Sequence, residues 1–159
     1  YLRCEVIRET MRQAGDDPHL ADEAYAVFNA ARQRVTLYDG VAEALARLSA
    51  KYRLVAISNG TADVFVTPAA PYFHAAFKAH EAGVAKPDAI IYQLATSHLS
   101  LDPEQVLHVG DDAHADAWGA REAGLHTVWI NPNGHAWTHD SPQPWTVRHL
   151  VEVADHLQA

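Results

Sequence analysis

The chain has 159 residues, 48% of them apolar, and carries 20 acidic against 12 basic side chains for a net charge of −8. That composition supports one ordinary domain, or one core with a small appendage, and a sizeable buried interior. An acidic chain without a local basic patch argues against nucleic acid and anionic membranes as partners, and no run reaches the length of a bilayer span.

The opening "YLRCEVIRET" lacks the apolar segment and cleavage site of a secretory signal, and the single Cys4 cannot form an internal disulfide, so a reducing, cytoplasmic setting is expected. Leu2, Val6, Ile7, Met11 and Ala14 share one helical face that Gly15 closes. Tyr1 stands directly before this helix, with no initiator methionine, and the expectation is a chain that begins within a longer protein. A second helix is predicted over about 20–34, with Ala24, Val27, Phe28 and Ala31 on its apolar face, pairing with the first. After "TLYDG" the spacing of Val41, Leu45 and Leu48 predicts a third helix ending near Lys51.

From there short apolar runs alternate with helical stretches. Strands are predicted at 52–58, 75–80, 106–110 and 126–130, and helices at 88–97, 114–123 and 150–157. Strand, helix, strand at this spacing implies parallel pairing with right-handed crossovers, hence an α/β fold. The segment "NPNGHAWTHDSPQPW" (131–145) reads as a long loop pinned by Trp137 and Trp145. Tyr38, Asp39, Tyr72 and Phe73 read as hinge or core residues. The eleven histidines are scattered and read as solvated or half-buried side chains.

In an open parallel sheet, functional groups gather at the carboxyl ends of the strands. Ser58, Asn59, Gly60 and Thr61 follow the first strand, Lys86 follows the second in "EAGVAKPD", and Gly110, Asp111 and Asp112 follow the third. A hydroxyl with free backbone amides, a lysine and a carboxylate pair together suit a phosphoryl group and a hard divalent cation such as Mg²⁺. Either of Asp111 and Asp112 alone reads as a cap of the next helix, but two adjacent carboxylates repel each other, and a bound dication reverses that repulsion. Asp116 reads as a group that orients Lys86 or backbone amides near the metal, or as a first-turn acid that complements the helix dipole. Asn131 reads as a loop-turn residue at the rim of the site.

"VAISNGT", "GVAKPD" and "HVGDDAHADAWGAREAG", in this order, resemble motifs two, three and four of the haloacid dehalogenase-like (HAD) hydrolase superfamily. "LYDGVAEALARL" resembles the segment before motif two in the subfamily with an inserted helical cap. The wording of "ISNG" and "HVGDD" is most similar to cytosolic phosphatases of flavin mononucleotide or riboflavin-pathway phosphates. The resemblance implies a Rossmann-like parallel sheet flanked by helices, with residues 1–36 as part of a cap and 37–159 as a core lacking its first strand. It implies a Mg²⁺-dependent phosphatase of small phosphorylated metabolites. Ser58, with Asn59 and Gly60, would bind the phosphoryl group, Lys86 would stabilise it and the nucleophile, and Asp111, Asp112 and Asp116 would form the metal shell.

The family's first motif, Asp-x-Asp-x-Thr, supplies the nucleophile and the general acid, and it does not occur in the 159 residues. The resemblance therefore implies a truncated chain, inactive by itself and prone to misassembly. Its central strand would lie between the strands ending at Ile57 and Val109, leaving a gap of roughly 10 Å, two strand spacings. Haloacid dehalogenases share the serine and lysine, but carbon–halogen cleavage needs no metal, so the acid pair favours a phosphatase. A receiver-type signalling domain carries its acid pair after the first strand and its lysine after the last, the reverse of the order here. A non-catalytic metal- or phosphate-binding protein is the remaining alternative.

Overall fold

The computed structural model describes residues 2–159; Tyr1 and the side chain of Leu2, both part of the first helical pattern, lie outside the described residues. Helices α1 (Leu2–Ala14) and α2 (Ala21–Arg32) pack as a pair across a short 3₁₀ turn, Pro18–Leu20, that Asp17 caps. Arg8 ties them together, its guanidinium 3.0 Å from the Asp22 carboxylate. Tyr38, in the segment that follows, is 84% exposed and belongs to a linker, not to the core. Helix α3 (Val41–Lys51) turns the predicted face inward, burying Leu45 and Leu48 along with Ala44.

Strand β1 (Leu54–Ser58) pairs in parallel with β2 (Phe73–Lys78), Leu54 opposite Phe73 and Ser58 opposite Lys78. Strand β2 starts earlier than its alternation predicts, because its last predicted residues, Ala79 and His80, already belong to a four-residue helix, α4 (Ala79–Ala82). Helix α5 (Ala89–Leu99), capped by Asp88, leads to β3 (Leu107–Gly110). The predicted helix at 114–123 is two pieces: a turn of π-helix, Ala113–Trp118, then α6 (Gly119–Glu122). Strand β4 (His126–Ile130) pairs in parallel with β3 and with β5 (Trp145–Val147), which periodicity does not announce. Helix α7 (Leu150–His156) completes the chain's elements.

The strands therefore form two parallel half-sheets, β1–β2 and β3–β4–β5. Among the described residues no ladder joins β1 to β3, in agreement with the strand arrangement expected from the sequence. Between them lies a cavity of about 430 Å³, bounded by residues 54–57 on one side and 107–110 on the other. Two helix pairs cover the strands. Helices α3 and α7 pack around Ala44, Leu48 and Ala154, whereas α5 and α6 pack around Ile91, Tyr92 and Ala120. No helix among the described residues is long and apolar enough to cross a membrane.

Helix α6 meets α5 where Gly119 lets the backbones close in. A Cβ on Gly119 would lie 2.5 Å from Pro87 Cβ and 2.8 Å from the Tyr92 hydroxyl. A glycine-to-alanine change inside a helix ordinarily stabilises by about 1 kcal/mol, but overpacking of a tight core opposes it with about 1–3 kcal/mol. Because backbone stands in the way here, Gly119→Ala is expected to lower the urea unfolding midpoint.

Candidate active site

Within each half-sheet the strands are parallel, and the contacts of Lys86 with the Ile57 carbonyl and Asp116 bring the segments that follow β1, β2 and β3 to one edge. Ser58 ends β1, and its Oγ accepts a hydrogen bond from the Gly60 amide at 3.0 Å. Asn59 clamps the first two segments together: its Oδ1 accepts from the Lys86 amide at 2.8 Å, and its Nδ2 donates to the Lys86 carbonyl at 2.9 Å. The Asn59 side chain is thereby a strut, and the Lys86 side chain is delivered back toward β1. There its Nζ donates to the Ile57 carbonyl at 3.1 Å and to Asp116 Oδ1 at 2.6 Å.

The three carboxylates of "GDDAHAD" have three different surroundings. Asp112 is a helix cap, with Oδ1 accepting from the amides of His114 at 2.9 Å and Ala115 at 2.7 Å. Asp116 is buried, and both of its oxygens are engaged. Oδ1 takes Lys86 and, at 3.0 Å, Nε2 of His108, while Oδ2 accepts from the Asp112 amide at 3.0 Å. Since a carboxylate can only accept, His108 carries its proton on Nε2. Asp111, exposed like Asp112, differs from both in that, among the described residues, its carboxylate takes no intramolecular bond. Its carbonyl is held by the Trp129 indole N–H at 3.0 Å. Asp116 is thus in contact with Lys86 and with a backbone amide, the two kinds of partner the sequence reading names for it.

The π-helical turn explains how one residue does this. The amides of Asp116 and Ala117 both reach the Asp112 carbonyl, at 2.9 and 3.1 Å, and the extra residue in the turn brings Asp116 down onto β3. Gly110 makes room, since a Cβ there would come within 2.3 Å of the Asp116 carboxyl carbon. The Tyr92 hydroxyl bonds the Ala115 carbonyl from below, and burial pushes its pKa upward.

No group of three His, Cys, Asp or Glu side chains among the described residues converges as a metal cage. His135 and His139 stand four residues apart, yet Asn131 binds the backbone of His135 through two hydrogen bonds of 2.9 Å, closing a turn, and His139 stacks on Trp118 and meets Trp137 at a tilt. Asn131 is thus a loop residue, as read from the sequence. Trp137 pins the 131–145 loop, tilted against Trp129 at 5.6 Å and donating to the Ser141 carbonyl at 2.7 Å. Trp145 begins β5 and meets His156 at 4.4 Å. The sequence did not point to His108 or to Gln33, which joins α2 to the Thr61–Asp63 backbone. "LHVGDD" carries His108 on the same strand face pattern as any partly buried histidine, and the signal of its role is its distance to Asp116 alone.

A family model described as haloacid dehalogenase-like hydrolase matches residues 3–124. The chain is 34% identical over 159 residues to the 5-amino-6-(5-phospho-D-ribitylamino)uracil phosphatase YigB of Escherichia coli, an alignment that covers 95% of this chain and 63% of that protein. It is 30% identical over 136 residues to the phosphoserine phosphatase of Thermus thermophilus, covering 82% of this chain and 55% of that one. A crystal structure of 2-haloacid dehalogenase from Pseudomonas syringae pv. Tomato superimposes with a TM-score of 0.89 at 33% identity, covering 99% of this chain and 70% of that one. The chain spans between 55% and 63% of the length of the two curated phosphatases.

Burial alone would raise the Asp116 carboxyl, but the His108 hydrogen bond and the Lys86 ammonium outweigh it and hold the pKa at about 2, below the ordinary 3.8. A depressed folded-state pKa contributes stability that is complete above the unfolded value and is lost as pH falls through the folded one. The shift corresponds to about 2 kcal/mol. Asp116→Asn is therefore expected to be destabilised relative to the parent protein above about pH 4, with the difference shrinking toward pH 2 in urea melts taken across that range.

Proposed function

This chain belongs to the haloacid dehalogenase-like hydrolase family, and we propose that the intact protein is a Mg²⁺-dependent phosphatase of small phosphorylated metabolites. The observation that carries this reading is the meeting of Lys86 and Asp111 at the lining of the cavity between the half-sheets, with Ser58 at the carboxyl end of β1 next to the Ile57 carbonyl that holds Lys86. A strand seated in that cavity would place a carboxylate among them. Its oxygen would attack phosphorus, the ester oxygen would leave with a proton, and water would then cleave the aspartyl-phosphate. The 159 residues contain no Asp-x-Asp-x-Thr, so the nucleophile in this reading comes from outside them.

Within that reaction the chain's own groups have separate tasks. The Ser58 hydroxyl donates to a phosphoryl oxygen. Lys86, fixed by Asp116 and the Ile57 carbonyl, sets a positive charge beside the attacking carboxylate. Asp111 is the hard oxygen donor left free for Mg²⁺, which when bound offsets charge on the phosphoryl oxygens. Asp112, whose Oδ1 already caps the following helix, serves the metal through its second oxygen or through water. The name of the Escherichia coli relative, a 5-amino-6-(5-phospho-D-ribitylamino)uracil phosphatase, supports a phosphorylated small molecule as substrate.

The 2-haloacid dehalogenase neighbour favours a second reading, carbon–halogen hydrolysis by the same serine and lysine. That chemistry gives Asp111 no cation to hold.

The intact protein is expected to hydrolyse p-nitrophenyl phosphate with Mg²⁺ and to lose that turnover in EDTA; undiminished activity in EDTA, or chloride release from 2-chloropropionate in its place, overturns the reading. Calorimetric titration with Mg²⁺ should show a far larger loss of affinity in Asp111→Asn than in Asp116→Asn, because a ligand supplies charge and a coordination bond whereas a brace only orients.

A further inference from the structure

The phosphoryl seat has a charge problem. Its lysine is already neutralised: Lys86 Nζ lies 2.6 Å from a buried carboxylate that accepts from His108 as well. An anionic ester brought to Ser58 would meet a dipole there, not a net cation.

One uncompensated cation does stand beside Ser58. Arg32 is the last residue of α2, it is exposed, and it forms no ion pair among the described residues. Its guanidinium lies over Gly60: a Cβ placed on Gly60 would be 3.4 Å from Arg32 Nη2 and 3.2 Å from Ser58 Oγ. The hydroxyl and the guanidinium therefore flank the same small space, and Gly60 keeps it open.

This placement is built. Gln33, the next residue, donates from Nε2 to the Thr61 carbonyl at 3.2 Å and accepts at Oε1 from the Asp63 amide at 2.8 Å. The end of α2 is thereby fastened to the loop that follows β1. Thr61 itself holds a buried hydroxyl with no hydrogen-bond partner among the described residues, an unsatisfied polar atom in that same loop. A basic residue in the last turn of a helix complements the helix dipole wherever it points. That effect asks nothing of Gln33 and does not account for the position over Gly60.

We infer that Arg32 is a substrate-binding residue, contributing its guanidinium to the phosphoryl oxygens beside the Ser58 hydroxyl. A planar guanidinium can take two oxygens at once, so it adds orientation as well as charge. The inference rests on the phosphatase reading of the site but is tested apart from turnover.

Inorganic phosphate is titrated calorimetrically into the intact protein, its Arg32→Met variant and its Arg32→Lys variant, with thermal unfolding recorded for each and p-nitrophenyl phosphate hydrolysis measured beside it. The exposed position lets all three fold with the same melting temperature. Arg32→Met is expected to weaken phosphate binding about tenfold, the loss of one charge-assisted contact, and to raise KM more than it lowers kcat, while Arg32→Lys recovers part of the affinity. Phosphate affinity in Arg32→Met within about twofold of the parent overturns the assignment, as does a parent protein that binds no phosphate. A parent that binds phosphate in an Arg32-dependent way yet hydrolyses no ester supports the Arg32 assignment and sinks the phosphatase reading instead.

Discussion

The arrangement of the site depends on a buried ion pair. Removing Lys86 and Asp116 from water carries a desolvation cost of several kcal/mol per ion, which their attraction offsets only when the remaining hydrogen-bonding capacity is filled. Here it is filled. The Ile57 carbonyl takes one ammonium proton, His108 and the Asp112 amide reach the carboxylate, and side-chain exposure is 12% for the lysine and 6% for the aspartate. The pair joins the ends of β1 and β3 to the segment after β2, three stretches that share no ladder. Other features follow from it: Gly110 because a side chain would collide with Asp116, the π-helical turn because Asp116 must reach inward, and the Asn59 clamp because Lys86 must arrive from a fixed backbone.

Three aspartates within six positions do not make one negative patch. Each is placed where a different partner determines its use: backbone amides for Asp112, the Lys86 ammonium and the His108 N–H for Asp116, and solvent for Asp111. The environment separates their roles as it separates paired carboxylates in other hydrolytic sites. The backbone beside the free carboxylate is held on both sides, by the Trp129 indole and by the Asp112 cap.

Much of this was legible in the sequence because it follows from periodicity and from order along the chain. Val41, Leu45 and Leu48 announce α3, the apolar runs announce four of the strands, and the groups after each strand mark the site's edge. The parts that escaped are those that depend on a single residue or on distant contacts. Strand β5 is three residues at the end of a proline-rich loop, too short for alternation to register. A π-helical turn shifts the helical phase by one residue, and an alanine-rich stretch hides the shift. Gln33 reaches Thr61 across 28 positions, and His108 meets Asp116 only because the turn brings them together.

The strand order has a consequence for how the chain acquires its shape. Each ladder joins strands that are nearest neighbours in sequence: Leu54 lies opposite Phe73, Leu107 opposite His126 and Val128 opposite Trp145. Closing each of these loops, all under about 20 residues, carries a similar and modest entropic cost, so neither half has to wait for the other before pairing its strands. The chain therefore contains two early nuclei rather than one. Their docking is the slow, long-range event, made by the α3–α7 contact, where Arg47 meets Asp155 at 2.8 Å, and by the Lys86–Asp116 pair. On this argument the edge that carries Lys86 and Asp116 is expected to come together last, although its residues sit on the elements expected to form first.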